Sequence, residues 1–339
     1  MTTTGASIRF RTLRRHPLAA GLAALCAASV PFAVPVCTAT TTAEQGPPSG
    51  VQALAARFGM TLQSARLPSA PDAVVTNCDD SGPGSLRDAV DNAPSGDTID
   101  LTQLTCSRIT LTTGSILFGQ HDLGFVGPGR GKLSIDASGS PGSGAFRHLG
   151  GGTLFLSGLT IENGLKYLND VDTRGGCIYS NGNVTVERSA LTNCEALAVF
   201  PYAALGGAIY SYGSTYLLDS RITGSSANSG AYATGGGVLA NGGFQSNYAQ
   251  ISGNQAFGEN SWGGGVFQRG PALIINSEIS GNLAGNWSGV ALEDNNGAPA
   301  VMLNSTVSGN VAQRKVGGVD AHQPIHMYSS TVAFNSSTV

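Results

Sequence analysis

The chain has 339 residues, of which 41% are hydrophobic and only 12% are charged. Its formal net charge of −3 includes four arginines near the N-terminus, and without them 14 basic residues face 21 acidic ones, a net charge of −7. No cluster of lysine and arginine remains along that sequence, so a nucleic-acid or anionic-membrane partner is not expected. The 48 glycines argue against a helical architecture.

Residues 1–43 have the pattern of a secretory signal peptide. A basic stretch, RFRTLRR, precedes an apolar run over residues 18–36, and small residues follow before Glu44. A single transmembrane anchor is the alternative, but prolines near the end of the run favour cleavage. Lipid attachment at Cys37 is disfavoured because a bulky valine precedes that cysteine. We therefore expect an exported protein.

Two segments precede the main domain. Residues 44–73, rich in Ala, Pro, Gly and Ser, are predicted to be a linker with a helical turn near 51–58. Residues 74–101 are predicted to form an N-terminal cap. Within it, Ser85 followed three residues later by Asp88 indicates a short capped helix. Such a cap would cover strand edges that otherwise invite aggregation.

A repeat dominates the chain from residue 102 to residue 339. Six anchors, spaced by 31, 29, 28, 28 and 25 residues, read ALTNC, RITGS, QISGN, EISGN, TVSGN and TVAFN. A glycine-led motif, such as GGCIYS and GGAIYS, runs out of phase with the anchors. Self-similarity of this period indicates stacked supersecondary units that bury their apolar faces against one another.

The residues inside one period favour strands. Short stretches of alternating β-branched residues are separated by clusters of Gly, Asn and Ser, and nothing sustains a helical period. The sequence therefore predicts an all-β, parallel β-helix over 102–339, with three short strands per turn. Equivalent residues of successive coils would lie about 4.8 Å apart.

Such stacking predicts a polar ladder. Asparagines lie three residues after four consecutive anchors, at Asn254, Asn282, Asn310 and Asn335. In one column, each side-chain amide can bond the amide of the next coil.

Four cysteines remain outside the signal and its edge: Cys78, Cys106, Cys177 and Cys194. An even number in an exported chain indicates disulfides, with three possible connectivities. The local choice pairs Cys78 with Cys106 and Cys177 with Cys194. A metal site is disfavoured because no Cys-x-x-Cys pair occurs and no histidine is near.

The motifs DSGPGSLRDAV, GDTIDL and SGLTIENG, with the iterated GG-x-(I/V)-Y and (I/V)-S-G-N, resemble those of bacterial exported right-handed β-helix repeat proteins, which have a pectin-lyase-like fold. The repeats are also similar to those of polymorphic outer membrane proteins and other surface passengers. The resemblance implies an extracellular or outer-surface location in a Gram-negative-type bacterium. Similar chains continue into a cap or an anchoring module, whereas this sequence stops within a repeat, so a truncated chain or an open last coil is expected.

A carbohydrate-active enzyme, a polysaccharide lyase or glycoside hydrolase, is the alternative function, because the same fold hosts pectin-degrading enzymes. Their sites need carboxylates on adjacent coils. Residues at the same number of positions from their anchors would be neighbours on adjacent coils. No two carboxylates of the repeats lie at the same number of positions from their anchors, so no catalytic residue is assigned. No cofactor or metal is expected either, since Pro324 separates His322 from His326 in a strand-and-turn setting.

The remaining surface feature is aromatic. Segments between each anchor and the next glycine pair leave each coil at the same place, and they carry Tyr202, Tyr232, Trp262 and Trp287. Exposed there, these rings would form one ridge that binds glycans or host or cell-surface proteins. Alternatively, they fold back and cover the solenoid. The sequence thus favours a structural or adhesive role without catalysis, with membrane contact only through the export signal or a missing C-terminal anchor.

Overall fold

The structure, a computed structural model, describes residues 49–63, 71–293 and 297–338. The predicted signal peptide, 1–43, lies outside the described residues. Residues Gly46–Val339 belong to one compact unit. In the described ranges, no helix is long and apolar enough to cross a bilayer.

The described residues confirm the predicted right-handed parallel β-helix, in about nine turns. The chain passes through its sheets in a fixed order, and we number them sheets 1 to 5 in that order. Sheets 1, 2 and 5 run most of the length of the solenoid and enclose its main core. Sheet 1 contains Pro71–Val74, Thr98–Asp100, Leu123–Val126, Thr153–Ser157, Asn183–Glu187, Thr215–Leu218, Phe244–Asn247, Ala272–Ile275, Ala300–Leu303 and Ile325–Tyr328. Sheet 2 contains Arg108–Thr110, Ser134–Asp136, Thr160–Glu162, Ala190–Thr192, Arg221–Thr223, Gln250–Ser252, Glu278–Ser280, Thr306–Ser308 and Thr331–Ala333. Sheet 5 contains Ile116–Phe118, Phe146–His148, Ile178–Ser180, Ile209–Ser211, Val238–Ala240, Val266–Arg269, Val290–Glu293 and Val319–Ala321.

The middle turns have five strands rather than the three expected from the sequence. The segments between anchors and glycine pairs form two further parallel sheets instead of loops. Sheet 3 contains Leu165–Leu168, Glu195–Ala198, Ser226–Ser229, Gln255–Phe257, Leu283–Ala284, Val311–Ala312 and Ser336–Ser337. Sheet 4 contains Thr173–Arg174, Ala204–Leu205, Tyr232–Thr234 and Asn260–Trp262.

Sheets 3 and 4 enclose a second, thin core that we call the alanine lobe. Its buried residues are all alanines: Ala196, Ala198, Ala204, Ala227, Ala233, Ala256 and Ala284. The main core, in contrast, stacks aliphatic anchors such as Ile161, Leu191 and Ile222, which pair in register and are fully buried. Because alanine adds only one methyl group, two sheets can approach closely there, which keeps the lobe thin.

A narrow neck joins the main core to the alanine lobe. On one side of the neck, the asparagine amides bond in sequence, with Nδ2 to Oδ1 distances of 3.1 Å from Asn254 to Asn282, 2.9 Å from Asn282 to Asn310 and 2.8 Å from Asn310 to Asn335. The opposite side carries a glycine in each of these coils. A Cβ on Gly265 would lie 2.9 Å from Nδ2 of Asn282, so the glycine leaves room for the amide.

The Cys177–Cys194 disulfide lies in the same neck two coils before Gly237 and Asn254, and Ala208 and Ser225 occupy the same positions in the coil between. The second disulfide joins Cys78 to Cys106. These are the two local pairings expected from the sequence. Disulfides form and persist in oxidising compartments, which indicates an exported protein.

The first coil is covered by helix α2, Leu86–Asn92, where the sequence predicts the capping helix. The Ser85 hydroxyl accepts a hydrogen bond from the Asp88 N–H, and the Asp88 carboxylate accepts one from Gly84. Leu86 and Val90 are buried against the first strands. A 3₁₀ turn, Ala137–Gly139, interrupts a later coil.

Residues 49–63, inside the predicted linker 44–73, pack on the outer face of sheet 1. They contain helix α1, Ser49–Arg57, whose Ala55 is buried against Leu273, Ile275 and Val301. After the helix, the Gln63 backbone and the Gln245 side chain exchange two hydrogen bonds.

Candidate ligand-binding groove

The alanine lobe and sheet 5 meet at an inside corner that forms a groove along the solenoid. At each corner the first glycine of the pair has a positive φ, +66° at Gly175 and +63° at Gly263. A Cβ on Gly263 would lie 2.8 Å from the Cβ of Phe267, so only glycine allows the chain to turn inward here. The glycine pairs therefore turn the chain from sheet 4 into sheet 5 at the same corner of successive coils.

The floor of the groove is apolar. Ile178 and its equivalents in sheet 5 point into the main core, so the residues next to them point outward. That outward column, in register, runs through Leu117, Arg147, Tyr179, Tyr210, Leu239, Phe267, Ala291 and Asp320. Tyr210, Leu239 and Phe267 are nonetheless buried, because Leu205, Trp262 and Trp287 cover them from the lobe side.

Partly exposed rings line the edge of this groove, and we call Tyr232, Trp262 and Trp287 the aromatic rim. The ring centroids are 6.1 Å apart between Tyr232 and Trp262 and 6.0 Å apart between Trp262 and Trp287. His322 continues the row, with its ring 5.1 Å from that of Trp287. The rim thus extends over successive coils, one ring after another.

The fourth aromatic of the expected ridge lies elsewhere. Tyr202 packs against the alanine lobe core and touches none of the rim rings. It covers the solenoid, which is the alternative that the sequence left open for these side chains. In place of the expected ridge of loops there is therefore a rim of three rings. The strands of sheet 4 and the segment that continues this sheet hold the rings in position.

Sequence reasoning missed the tyrosines of sheet 5. Tyr179 and Tyr210 stack at 5.7 Å with their planes only 4° apart, and Tyr212, 47% exposed, lies edge-on to both. Their signal is present in GG-x-(I/V)-Y, since the residue after a buried aliphatic must face the other side of a strand. Burial, together with the neighbouring Tyr212 hydroxyl, raises the pKa of Tyr210 to about 12, so the phenol stays neutral.

Cations gather at one end of the groove, around Tyr179. The Arg147 guanidinium carbon lies 4.6 Å from the centre of the Tyr179 ring, and that of Arg174 lies 5.6 Å from the Tyr210 ring. Lys166 lies on sheet 3 in register with Ala196; burial lowers its pKa, and the charge of Arg147 lowers it further. We call Arg147, Lys166 and Arg174 the cationic end. These residues are separated in sequence, so no local basic cluster announces them.

Two carboxylates do share a position on adjacent coils, contrary to the expectation from the anchors. Asp136 and Glu162 pair in register on sheet 2, and Arg108 contacts both, at 2.7 and 3.2 Å. Both side chains lie in coils that precede the six anchors, and the coil of Asp136 has no anchor motif from which an offset could be counted. Burial raises the pKa of Asp136, but hydrogen bonds from Asn163 and Ser138 and the charge of Arg108 hold it below its usual range. A general acid needs the opposite shift, so the trio has the character of a structural ion pair.

The other titratable clusters are also structural. The buried His148 ring contacts the Ser180 hydroxyl at 2.8 Å, inside the main core and out of reach of a substrate. His322 lies against Trp287, and His326 stacks on Phe58. Within residues 49–63, 71–293 and 297–338, no group of three or more His, Cys, Asp or Glu could hold a metal ion.

In comparisons with protein-family models, curated proteins and solved structures, no significant match to this chain is found. The class of protein is therefore defined by its own structure, a disulfide-bonded parallel β-helix. Its likeness to exported repeat proteins remains one of sequence motifs.

Proposed function

We propose that this is an exported β-helix protein with a structural or adhesive role, which binds glycans at the cell surface or in the medium through its aromatic rim. The observation that carries this proposal is the row of rings from Tyr232 to Trp287 beside an apolar floor. Amphipathic rings of this kind offer apolar surface to sugars and keep polar edges for hydrogen bonds. A protein partner would use the same surface.

The test is the double variant Trp262→Ala/Trp287→Ala, assayed on a glycan array and in a cell-adhesion assay. We expect glycan binding to fall at least tenfold, because stacking contacts are lost with both rings. Phe257→Ala removes a partly buried ring from the outer face of sheet 3 and serves as the matched control. Unchanged glycan binding by the double variant would count against the proposal, and loss of protein binding alone would redirect it to a protein ligand.

A carbohydrate-active enzyme is the second candidate: the grouping of Arg108, Asp136 and Glu162 is the observation that favours it, while the lowered pKa of Asp136 counts against that side chain as the general acid. Two carboxylates with a basic residue on adjacent coils are the minimal equipment for acid–base cleavage of a polysaccharide. Incubation with pectin, alginate and related polymers in the presence of Ca²⁺ tests this candidate. Product formation that Glu162→Gln abolishes would establish it; absence of product from all the polymers would leave the binding role.

A further inference from the structure

We propose that a cleft along the corner between sheets 1 and 2 is a second binding site, which takes a short neutral oligosaccharide. The cleft has a volume of about 530 Å³ and extends from Asp219 in one coil to Asn304 three coils later. We call it the corner cleft. It shares no residue with the aromatic rim, so it is a separate site beyond the proposed function.

Two rows of side chains line the corner cleft. In each coil, one residue with a left-handed backbone joins sheet 1 to sheet 2. In the cleft these residues have φ between +44° and +55°, and they are Asp219, Tyr248, Asn276 and Asn304. The second row pairs in register on sheet 2 and consists of Arg221, Gln250, Glu278 and Thr306. All eight residues are exposed or partly exposed, so both rows are open to solvent.

Tyr248 is the unexpected member of the first row. Asn and Asp tolerate a left-handed backbone, whereas a bulky residue with positive φ is an outlier. Tyr248 has a φ of +55°, is 63% exposed and belongs to none of the hydrophobic clusters of the described residues. Since neither the backbone nor internal packing favours a tyrosine here, the strained residue points to contact with a ligand.

Other side chains of the cleft have unused hydrogen-bonding groups. The side chains of Arg221 and Gln250 form neither an ion pair nor a hydrogen bond to any residue that the structure describes. The Asn304 amide donates to Asn276 at 2.8 Å, and the Asn276 amide donates to Asn247 at 3.1 Å. This chain of amides fixes the orientation of Asn304, whose own oxygen accepts no bond from a described residue. The cleft therefore presents donors and acceptors side by side.

Arg130 bounds one end of the cleft. It follows the sheet 1 strand Leu123–Val126, three coils before Asp219, and its side chain reaches along the corner. One guanidinium nitrogen, Nη2, lies 3.1 Å from the Asp219 carboxylate, and Nη1 donates to the Asp219 backbone carbonyl. From this pair to Asn304 the cleft spans three coils, about 14 Å at the usual strand spacing, which suits a short oligosaccharide.

The charges of the cleft favour a neutral ligand. Arg130 and Arg221 are balanced by Asp219 and Glu278, so the lining carries no net charge that would attract a polyanion or a polycation.

The corner backbone does not offer a strand edge to a peptide. The N–H groups of Asp219 and Asn276 donate to carbonyls of the next coil, at 2.9 and 3.0 Å, so a further strand cannot pair there. Recognition must use side chains. Sugar hydroxyls both donate and accept, which suits neighbouring amides, carboxylates and guanidinium groups. The exposed Tyr248 ring adds an apolar face on which a sugar ring can stack.

Isothermal titration calorimetry tests the inference with three neutral probes, cellohexaose, xylohexaose and mannohexaose, and with acidic hexagalacturonate. The protein carries Trp262→Ala/Trp287→Ala throughout, so that the aromatic rim does not contribute. We expect at least one neutral probe to bind, and hexagalacturonate to bind no more tightly than that probe.

Tyr248→Asn should weaken binding of the neutral probe about tenfold, since the stacking ring is lost. The same substitution should raise the melting temperature, because asparagine suits the left-handed backbone of the corner. Arg221→Ala should also weaken binding, since it removes the donors of an unpaired guanidinium. Tyr167→Asn replaces a tyrosine on sheet 3 that is 42% exposed, and this matched control should bind like its parent.

Several results would overturn the corner cleft as a site for neutral glycans: no binding by any neutral probe, tighter binding by hexagalacturonate, or full binding by Tyr248→Asn. A lower melting temperature for Tyr248→Asn would also overturn it, because the ring would then have a structural role. If the neutral probes bind only when Trp262 and Trp287 are present, the cleft fails while the proposed function stands. If they bind equally with and without these two rings, the cleft stands and the rim does not contribute to their binding.

Discussion

At the neck of each coil, the sizes of two opposed residues are matched. The covalent pair Cys177–Cys194 is followed one coil later by Ala208 opposite Ser225, and then by glycines opposite asparagines. As the side chain on one side grows, the residue on the other side shrinks. This complementarity keeps the neck closed while its chemistry changes from a covalent bond to a hydrogen-bonded ladder.

Asn282→Ala should destabilise the fold strongly. The Asn282 amide donates to the Ile251 carbonyl and to Asn310, and its oxygen accepts from Asn254. Removing it leaves buried polar groups unpaired, at about 1–3 kcal/mol for each such group. Chemical denaturation should show a lower midpoint than for Asn228→Ala, which loses only one long contact of 3.5 Å to Glu195. Equal midpoints for the two variants would contradict a structural role for the ladder.

Asp80 should make the N-terminal cap sensitive to acid. Burial raises the pKa of its carboxyl, but hydrogen bonds from Thr113, Arg87 and Thr112 outweigh it and lower the pKa well below 3.8. A depressed folded-state pKa stabilises the fold above that ordinary value, and the stabilisation is lost as the pH falls below it. Thermal melts should therefore show Asp80→Asn to be less stable than the wild type by about 2 kcal/mol at neutral pH, with a smaller gap near pH 3. A gap that stays constant with pH would argue against this assignment.

Among the elements, sheets 3 and 4 show what sequence reasoning left out. Five residues after the anchor, five of the six repeats carry alanine, at Ala196, Ala227, Ala256, Ala284 and Ala312, and the last carries Ser337. A small buried residue that recurs at one offset is the signal of a second, tightly packed core. Alanine is only weakly hydrophobic and the segments between anchors vary in length, so this signal does not stand out in the sequence. The long sheets were predictable because their Ile, Leu and Val columns keep a strict register.

The docking of α1 could not be read from the sequence, since its partners lie about 200 residues downstream. Ala55→Glu should detach this helix, because it places a charge against Leu273 and Val301. Limited proteolysis should then cut after Arg57, and binding of a hydrophobic dye should rise as the outer face of sheet 1 is uncovered. Ala56→Glu, on the exposed side of the same helix, should behave like the wild type. Equal protease resistance of both variants would contradict the docking.

For the molecule as a whole, both disulfides lie in the first 194 residues, whereas the asparagine ladder stabilises the neck beyond them. Repeat spacing underlies this division, because Cys194 and the ladder asparagines all lie three residues after their anchors. It could not predict the groove, which depends on which way each glycine corner bends and on cations that lie outside the clear repeats, such as Arg147 and Lys166.

A disulfide equivalent to Cys177–Cys194 should form one coil later if two cysteines are introduced there. Ala208→Cys/Ser225→Cys places two cysteines where the register predicts the same geometry as Cys177–Cys194. A loop of this size contributes about 3 kcal/mol on the chain-entropy estimate, so the melting temperature should rise under oxidising conditions and fall on reduction. Mass spectrometry of the unreduced protein verifies the bond. Free thiols in the folded double variant would show that the neck geometry differs between coils.

The matched neck partners also bear on how such a chain can lengthen during evolution. Cys177 and Cys194 are 17 residues apart, and the same interval separates Gly237 from Asn254 and Gly265 from Asn282. Because both members lie within one repeat length, duplicating any whole repeat copies a compatible couple. A deletion that begins between the two members would instead place neck residues of mismatched size opposite each other. Gene rearrangements that preserve this fold should therefore have their breakpoints outside that interval.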